Sequence, residues 1–349
     1  MRLISVVGLL TLLAAVTAGA VALRLYRSAE RPFGTQSEGA PALVEIPAGA
    51  STQSIGARLV AAGVVRDRWT FRLAVWLSGR ARHMQAGEYR FDRPLSPLEV
   101  IDKIARGEVD AVPLTFPEGL TIAEMADRFQ AAGLGPASAF AQAARDATSI
   151  KDVDPEASDL EGYLFPSTYA VSSRTDGATL VRLMVARFVA ALTPELRAAA
   201  RARALTVRQL VTLASIVEKE TGSADERPLV ASVYANRLRI GMPLQCDPTV
   251  IFALLRHGRY DGNLRRTDLQ FDSPYNTYRY PGLPPGPIAA PGLQALRAAA
   301  APAPSDYLYF VSRNDGTHAF ARSLSEHNRN VQRFQVDYFR QQRLATRPR

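Results

Sequence analysis

The sequence predicts an α+β protein in three parts: an N-terminal transmembrane helix, a small α/β module and a larger α+β domain. Three observations predict it. Leu3 to Leu23 is a run of 21 residues without a charge. A strand, turn and helix pattern occurs twice, 70 positions apart. Beyond residue 200, helical periodicities alternate with short strand-like segments and one loop dense in proline and glycine.

At ~1.5 Å per residue the uncharged run covers roughly the ~30 Å hydrocarbon core of a bilayer. Ala18-Gly19-Ala20 offers a weak cleavage site, but the apolar run continues past it, which favours an uncleaved anchor. Arg24, Arg27 and Arg31 follow the span and only Arg2 precedes it, so the positive-inside rule read alone would leave the bulk of the chain in the cytoplasm. Residues 1–27 are assigned to a cytoplasmic tip and anchor. Residues 28–41, polar and aperiodic with Gly and Pro, are a linker.

The repeated pattern opens with Val44-Glu45-Ile46-Pro47-Ala48-Gly49-Ala50-Ser51, matched by Leu114-Thr115-Phe116-Pro117-Glu118-Gly119-Leu120-Thr121. Each copy reads as an alternating strand, a Pro-x-Gly turn, a Ser or Thr N-cap and a helix that stops at glycine, Gly63 or Gly133. Convergence on a common unit is the alternative, and the gap-free spacing favours repetition. After the first copy, Trp69 to Trp76 has the pattern of an amphipathic helix, Ala86 to Phe91 alternates like a strand, and Ser96-Pro97-Leu98-Glu99 is a capping box with proline at the first helical position. These elements define a module over 42–110. A larger domain over 111–335 and a basic tail over 336–349 follow, with a basic helix predicted from about Asn328 to Arg343.

The larger domain carries the chemistry. Thr206 to Gln209 is a capping box, and Leu210, Leu213, Ala214 and Val217 follow at the spacing of one buried helical face. On that wheel Glu218 falls at one border of the face, Lys219 points roughly away, and Glu220 lies at the other border. A carboxyl at the edge of an apolar stripe is partly desolvated, which raises its pKa as a general acid requires; an ordinary boundary residue on a surface helix fits the same wheel. A second helix from Arg227 or Pro228 to Leu238 ends at Gly241, and Asp247 or Thr249 suits the cap of a helix over Val250–Leu255. Tyr275-Asn276-Thr277-Tyr278 combines aromatics with amide and hydroxyl groups, which suits sugar binding or an aromatic core equally. Pro281 to Gly292, with five prolines and three glycines, is too rigid for helix and too apolar for a linker, so it is predicted to shape a groove wall. Tyr307 to Val311 reads as a buried strand.

Composition excludes several classes. With 47% hydrophobic residues the chain can bury real cores, and its single cysteine, Cys246, permits neither an intrachain disulfide nor a cysteine zinc cluster. The net charge of +9 rests almost wholly on arginine, since Lys103, Lys151 and Lys219 are the only lysines. Those arginines are interspersed with carboxylates rather than gathered in a stripe, so no nucleic-acid partner is expected. No nucleotide, serine-hydrolase or zinc-protease motif occurs, and His83, His257, His318 and His327 lack paired metal spacing, so no metal or cofactor is expected; His318 and His327 read as surface or loop residues.

Leu160-Glu161-Gly162-Tyr163-Leu164-Phe165-Pro166, Ala214 to Thr221 with its Glu-Lys-Glu-Thr, Leu244-Gln245-Cys246-Asp247-Pro248-Thr249, Tyr275 to Tyr278 and Gly282 to Ile288 closely resemble the membrane-anchored endolytic murein transglycosylases of the YceG-like family. The resemblance spans roughly residues 42 to 335. Pro281 before the Gly-Leu-Pro-Pro motif and Cys246 within the Gln-x-Asp-Pro-Thr motif depart from the pattern. The resemblance implies a LysM-like first module, an inner-membrane enzyme with its catalytic domain outside the cytoplasm, and Glu218 as catalytic residue. A lytic transglycosylase needs only one carboxyl: it protonates the glycosidic oxygen between N-acetylmuramic acid and N-acetylglucosamine, then takes the proton from the muramic C6 hydroxyl that attacks C1, leaving a 1,6-anhydro end. Glu161, Gln245, Asp247, Asn276, Thr277 and Tyr278 are the candidates for positioning the sugar or the acid, and Glu220 is the competing carboxylate. Expected partners are nascent glycan strands, the inner membrane and a peptidoglycan synthase. A non-catalytic peptidoglycan-binding scaffold and a muramidase centred on Glu218 are the competing readings.

Overall fold

A computed structural model describes residues 16, 17, 20, 23, 24, 26–34, 41–173 and 175–345. The expected span over Leu3–Leu23, linker residues 35–40 and tail residues 346–349 fall largely or wholly outside the described residues. Among the described residues no single helix is long and apolar enough to cross a membrane. The chain divides into two compact units, Met1–Val112 and Pro113–Arg349.

In the first unit, β1 (Ala42–Ile46) leads through α1 (Thr52–Ala61) and α2 (Arg68–Ser78) to β2 (Gly87–Phe91), and α3 (Pro97–Ala105) follows. The strands are antiparallel, with Val44 opposite Tyr89 and Ile46 opposite Gly87. Alternation puts Val44, Ile46, Tyr89 and Phe91 on the buried face, where they meet Ile55 and Leu59 of α1, Phe71 of α2 and Val100, Ile101 and Ile104 of α3. Local chemistry sets the helix limits. Ser51 caps α1 by accepting from Ser54 N–H at 3.2 Å. Asp67 caps α2, Gly79 ends it at φ 65°, and the Ser96/Glu99 capping box opens α3. The α1–α2 contact is close enough that a Cβ on Gly56 would lie 2.7 Å from the Phe71 ring.

The second unit opens with the same sequence of elements. β3 (Val112–Phe116) and α4 (Ile122–Ala131) begin and end 70 positions after β1 and α1. The turn glycines also correspond, Gly49 and Gly119 at φ 73° and 80°, Gly63 and Gly133 at 69° and 72°. This left-handed backbone is why both turns carry glycine. α5 (Ala137–Arg145) and β4 (Ser167–Val171), which pairs with β3, follow. Then come α6 (Gly177–Ala191), α7 (Pro194–Ala202), α8 (Val207–Glu220), α9 (Arg227–Arg239), α10 (Asp247–Arg256) and α11 (Leu293–Ala300). A hairpin of β5 (Tyr309–Ser312) and β6 (His318–Ala321) leads to α12 (Leu324–Val331), a π-helical segment Gln332–Asp337 and α13 (Tyr338–Ala345).

Four expectations change. α8 is not a helix with one buried face: every residue from Leu210 to Val217 is buried, because α7, α9, α10 and α11 all pack around it. The alanines of α11, Ala295, Ala298, Ala299 and Ala300, are small enough to permit the close approach this requires. The helix expected over Val250–Leu255 begins at Asp247, so Asp247 lies in its first turn rather than at its cap; Cys246 holds the cap position and makes no side-chain cap bond. The Tyr307–Val311 segment is a half-buried hairpin strand shifted toward Ser312, and the helical C-terminal region starts at Leu324 and is interrupted by the π segment.

Phe71 is fully buried. Phe71→Ala should destabilise the first unit by about 3–5 kcal/mol, read as a lowered urea midpoint; a loss well under 1 kcal/mol would show that the ring does not anchor that core.

Candidate active site

Two carboxylates leave the last turn of α8 two residues apart, and a helix sends such positions to different sides. Their surroundings differ accordingly.

Glu218 is held in an ion pair. Its Oε1 accepts from Arg227 Nη2 at 2.8 Å and its Oε2 from the Gly292 N–H at 2.9 Å. The same guanidinium nitrogen reaches Glu118 Oε2 at 3.3 Å. The Glu218 and Arg227 side chains are 5% and 9% exposed, while Glu118 is 43% exposed. Burial pushes the Glu218 pKa up, and Glu118 adds to this; the Gly292 N–H and Arg227 oppose it. The backbone closes tightly around the pair. Gly119 N–H donates to Ala290 O and Ala290 N–H to Leu120 O, both at 2.8 Å, and Lys219 Nζ donates to Gly119 O at 3.1 Å. A Cβ on Gly292 would lie 1.7 Å from Glu118 Oε1, so that position admits only glycine while Glu118 stays in place. The proline-rich loop is therefore less a free wall than a strap on α8: Ile288 N–H donates to Ser215 Oγ at 3.0 Å, and Ile288, Ala289 and Ala290 are buried.

Glu220 faces a cavity of about 310 Å³. Gln245, Asp247, Tyr278, Arg237 and His327 line it with Glu220 and Tyr234. The Tyr234 hydroxyl donates to Glu220 Oε1 at 2.5 Å. Burial is the main cause of a raised Glu220 pKa, with nearby Asp247 adding to it and the Tyr234 hydroxyl and Cys246 thiol opposing it. Asp247 accepts from the Tyr278 hydroxyl at 2.6 Å. Gln245, exposed at the rim, has φ 51°, an uncommon conformation for a residue with a side chain. Arg237 spends its guanidinium on Leu308 O at 2.7 Å and Leu244 O at 2.6 Å, which fixes it in the cavity wall. His327 stacks on Tyr309 with ring centroids 5.2 Å apart, so it belongs to the cavity rather than to an outer loop. His318, the other histidine expected in a loop, stands on β6 and contacts Glu226 at 2.7 Å.

Of the expected site residues, Glu220, Gln245, Asp247 and Tyr278 come together in this cavity. Asn276 and Thr277, expected to position the sugar or the acid, are fully buried. Asn276 Nδ2 donates to Leu269 O and Phe271 O at 3.0 and 2.7 Å, and its Oδ1 accepts from Tyr278 N–H at 3.0 Å. Thr277 Oγ1 accepts from Cys246 N–H at 3.0 Å. Asn276 braces the loop that presents Tyr278, Thr277 ties that loop to the start of α10, and neither offers a group to solvent. Glu161 lies elsewhere. It accepts from Ile122 N–H with both oxygens at 3.2 Å, at the start of α4, and burial pushes its pKa up to about 8. Cys246 is fully buried, and burial pushes its thiol pKa well up.

Glu118, Arg227, Gly292, Tyr234, Arg237 and His327 were not expected from sequence. Two signals were present. The second copy of the repeat carries Glu118 where the first has Ala48, and Arg227 puts a cation at a helix start, where the macrodipole disfavours it unless a carboxylate compensates.

Arg227→Met strands a buried carboxylate. It should destabilise the protein by about 3–5 kcal/mol at neutral pH, with a smaller loss in acid, where Glu218 takes up a proton; a pH-independent loss would contradict the ion pair. Glu161 favours its protonated form in the fold, so its contribution is full below its ordinary pKa of 4.5 and lost as pH rises through about 8. Glu161→Gln should flatten the fall of Tm over that window, and an unchanged slope would contradict the burial.

The sequence model of the YceG-like family matches residues 44–333. A protein of Bacillus subtilis (strain 168) named endolytic murein transglycosylase is 31% identical over 310 residues, covering 83% of this chain and 84% of its own. A Streptococcus pneumoniae (strain D39) protein of the same name is 31% identical over 320 residues; the alignment covers 82% of this chain but only 57% of that longer relative. A crystal structure of a yceG-like protein from Listeria monocytogenes matches with a TM-score of 0.57 and 31% identity, over 83% of this chain and 98% of that one.

Proposed function

The chain belongs to the YceG-like family, and from that premise we propose that it cuts peptidoglycan glycan strands internally, with Glu220 as the group that carries the chemistry. It is an enzyme of the lytic transglycosylase class. The observation that carries the residue assignment is the contrast between the two carboxylates of α8. Glu220 lines a cavity with Gln245, Asp247 and Tyr278, whereas Glu218 is held by Arg227 and the Gly292 N–H.

A general acid must hold a proton near neutral pH and reach the leaving oxygen. Burial raises the pKa of both glutamates, so the direction of the shift does not choose between them. Access does. In the proposed reaction Glu220 protonates the oxygen between N-acetylmuramic acid and N-acetylglucosamine. As carboxylate it then removes the proton of the C6 hydroxyl, whose oxygen attacks C1 and forms the 1,6-anhydro ring without water. The Tyr234 hydroxyl stabilises the carboxylate form between these steps. Asp247 orients Tyr278, and the exposed amide of Gln245 is placed to meet sugar hydroxyls or acetamides at the rim.

The remaining parts follow from the same reading. An N-terminal anchor holds the enzyme in the inner membrane with both units outside the cytoplasm, next to newly made strands and their synthase. The first unit, with its strand, two helices and returning strand, serves as a LysM-like module. A second assignment, Glu218 as the acid, is the one that the family resemblance of the Glu-Lys-Glu-Thr motif implies, and its pKa is raised as well, chiefly by burial.

Parallel Glu220→Gln and Glu218→Gln variants decide between them, with product glycans read by mass spectrometry. Glu220→Gln should lower strand cleavage by roughly 10²–10⁴-fold and remove anhydro-ended products, while Glu218→Gln retains them wherever the fold persists. The reverse pattern would return the role to Glu218, and reducing muramic ends from the wild type would replace transglycosylation with hydrolysis.

A further inference from the structure

The chain has two tryptophans, and both lie on α2. Trp69 and Trp76 are 76% and 77% exposed. Their spacing of seven residues is two helical turns, so both indoles leave the same side of the helix, with Arg72 between them and Leu77 beside them. The opposite side of α2, Phe71, Ala74 and Val75, is already spent on the core.

The charge on this face is of one sign. Arg68 and Arg72 are exposed, and among the described residues neither pairs with a carboxylate. Asp67, their acidic neighbour, uses its carboxylate on Trp69 N–H, Thr70 N–H and the Thr70 hydroxyl at 2.8–2.9 Å. A cavity of about 490 Å³ opens between α1 and α2, bordered by Trp69, Arg68, Arg72, Thr52 and Gln53.

Exposed indoles interleaved with unpaired arginines match one environment closely. Tryptophan favours the headgroup level of a bilayer, where the ring leaves water and its N–H stays hydrated. Arginine near an anionic leaflet gains about a factor of five in partitioning. A glycan strand would need open ring faces for stacking, and the Arg72 guanidinium already lies 5.2 Å from the Trp69 ring centroid.

We propose that this face of α2 docks on the surface of an anionic phospholipid bilayer, with Trp69 and Trp76 at headgroup depth and Arg68 and Arg72 against lipid phosphates. The inference rests on the bilayer-proximal placement of the first unit given above and not on the cleavage chemistry. Docking would hold the first unit flat on the membrane.

Because Trp69 and Trp76 are the only tryptophans, fluorescence of the full chain reports this face alone. The chain is placed in nanodiscs of phosphatidylglycerol and phosphatidylcholine with brominated acyl chains, and in discs of brominated phosphatidylcholine only. The expected result is blue-shifted emission with strong quenching in the anionic discs and weaker quenching in the zwitterionic ones. Arg68→Ala combined with Arg72→Ala should lower the docked-to-free ratio about 30-fold. Co-purification with the disc reports the anchor separately. Emission that stays red and unquenched in anionic discs overturns the docking, whether or not the chain co-purifies. Emission that responds to soluble peptidoglycan fragments and not to lipid also overturns it, and assigns the face to glycan instead.

Discussion

A carboxylate taken out of water must be paired, hydrogen-bonded or protonated, and the end of α8 faces that constraint twice within three residues. Glu218 meets it with a guanidinium and a backbone N–H, at the cost of being enclosed. Glu220 meets it with a tyrosine hydroxyl at the wall of a cavity, and burial raises the pKa of both. Much of the second unit serves this division. Four helices surround α8, so its final turn is anchored by eight consecutive buried residues. The proline-rich strap then fixes the side of α8 that carries Glu218, through Ser215 and Gly292.

The enclosed pair also gives the repeat a purpose that differs between its copies. In the first unit the Pro-x-Gly turn carries Ala48 and connects β1 to α1. In the second it carries Glu118, which shares Arg227 with Glu218, and its Gly119 backbone bonds to Ala290 and Lys219. The same turn geometry, set by a glycine at positive φ, here braces the helix that ends in Glu218 and Glu220. In the first unit the distinctive exposed side chains, Trp69 and Trp76, lie on α2 instead.

Legibility from sequence divided along physical lines. Signals that are local in the chain were readable: the caps at Ser51, Ser96, Thr121 and Thr206, the stop at Gly241, and the offset of 70 between copies, each set by residues a few positions apart. The helical wheel also placed Glu218 and Glu220 on different sides of α8. It did not disclose which partners each would meet, because the surroundings of α8 are decided by α11, the strap and the Glu118 turn, all distant in sequence. The same limit explains Asn276 and Thr277. Their residue types suit sugar binding, but only the fold reveals that Leu269, Phe271 and Cys246 consume their hydrogen bonds. Arg227 was readable in principle as a cation at the wrong end of a helix; its partner, nine residues back at the end of α8, was not.

The central claim is that the two glutamates of one helical turn are held by different partners, Glu218 by a guanidinium and a backbone N–H and Glu220 by a tyrosine hydroxyl. A site-assigned NMR titration of the Glu218 and Glu220 side-chain carboxyl carbons in the full chain tests it without reference to substrate. The account predicts that Glu220 keeps its proton to a higher pH than Glu218, which ionises first under the pull of Arg227. Glu218 holding its proton to the higher pH, with Glu220 already ionised, would contradict it.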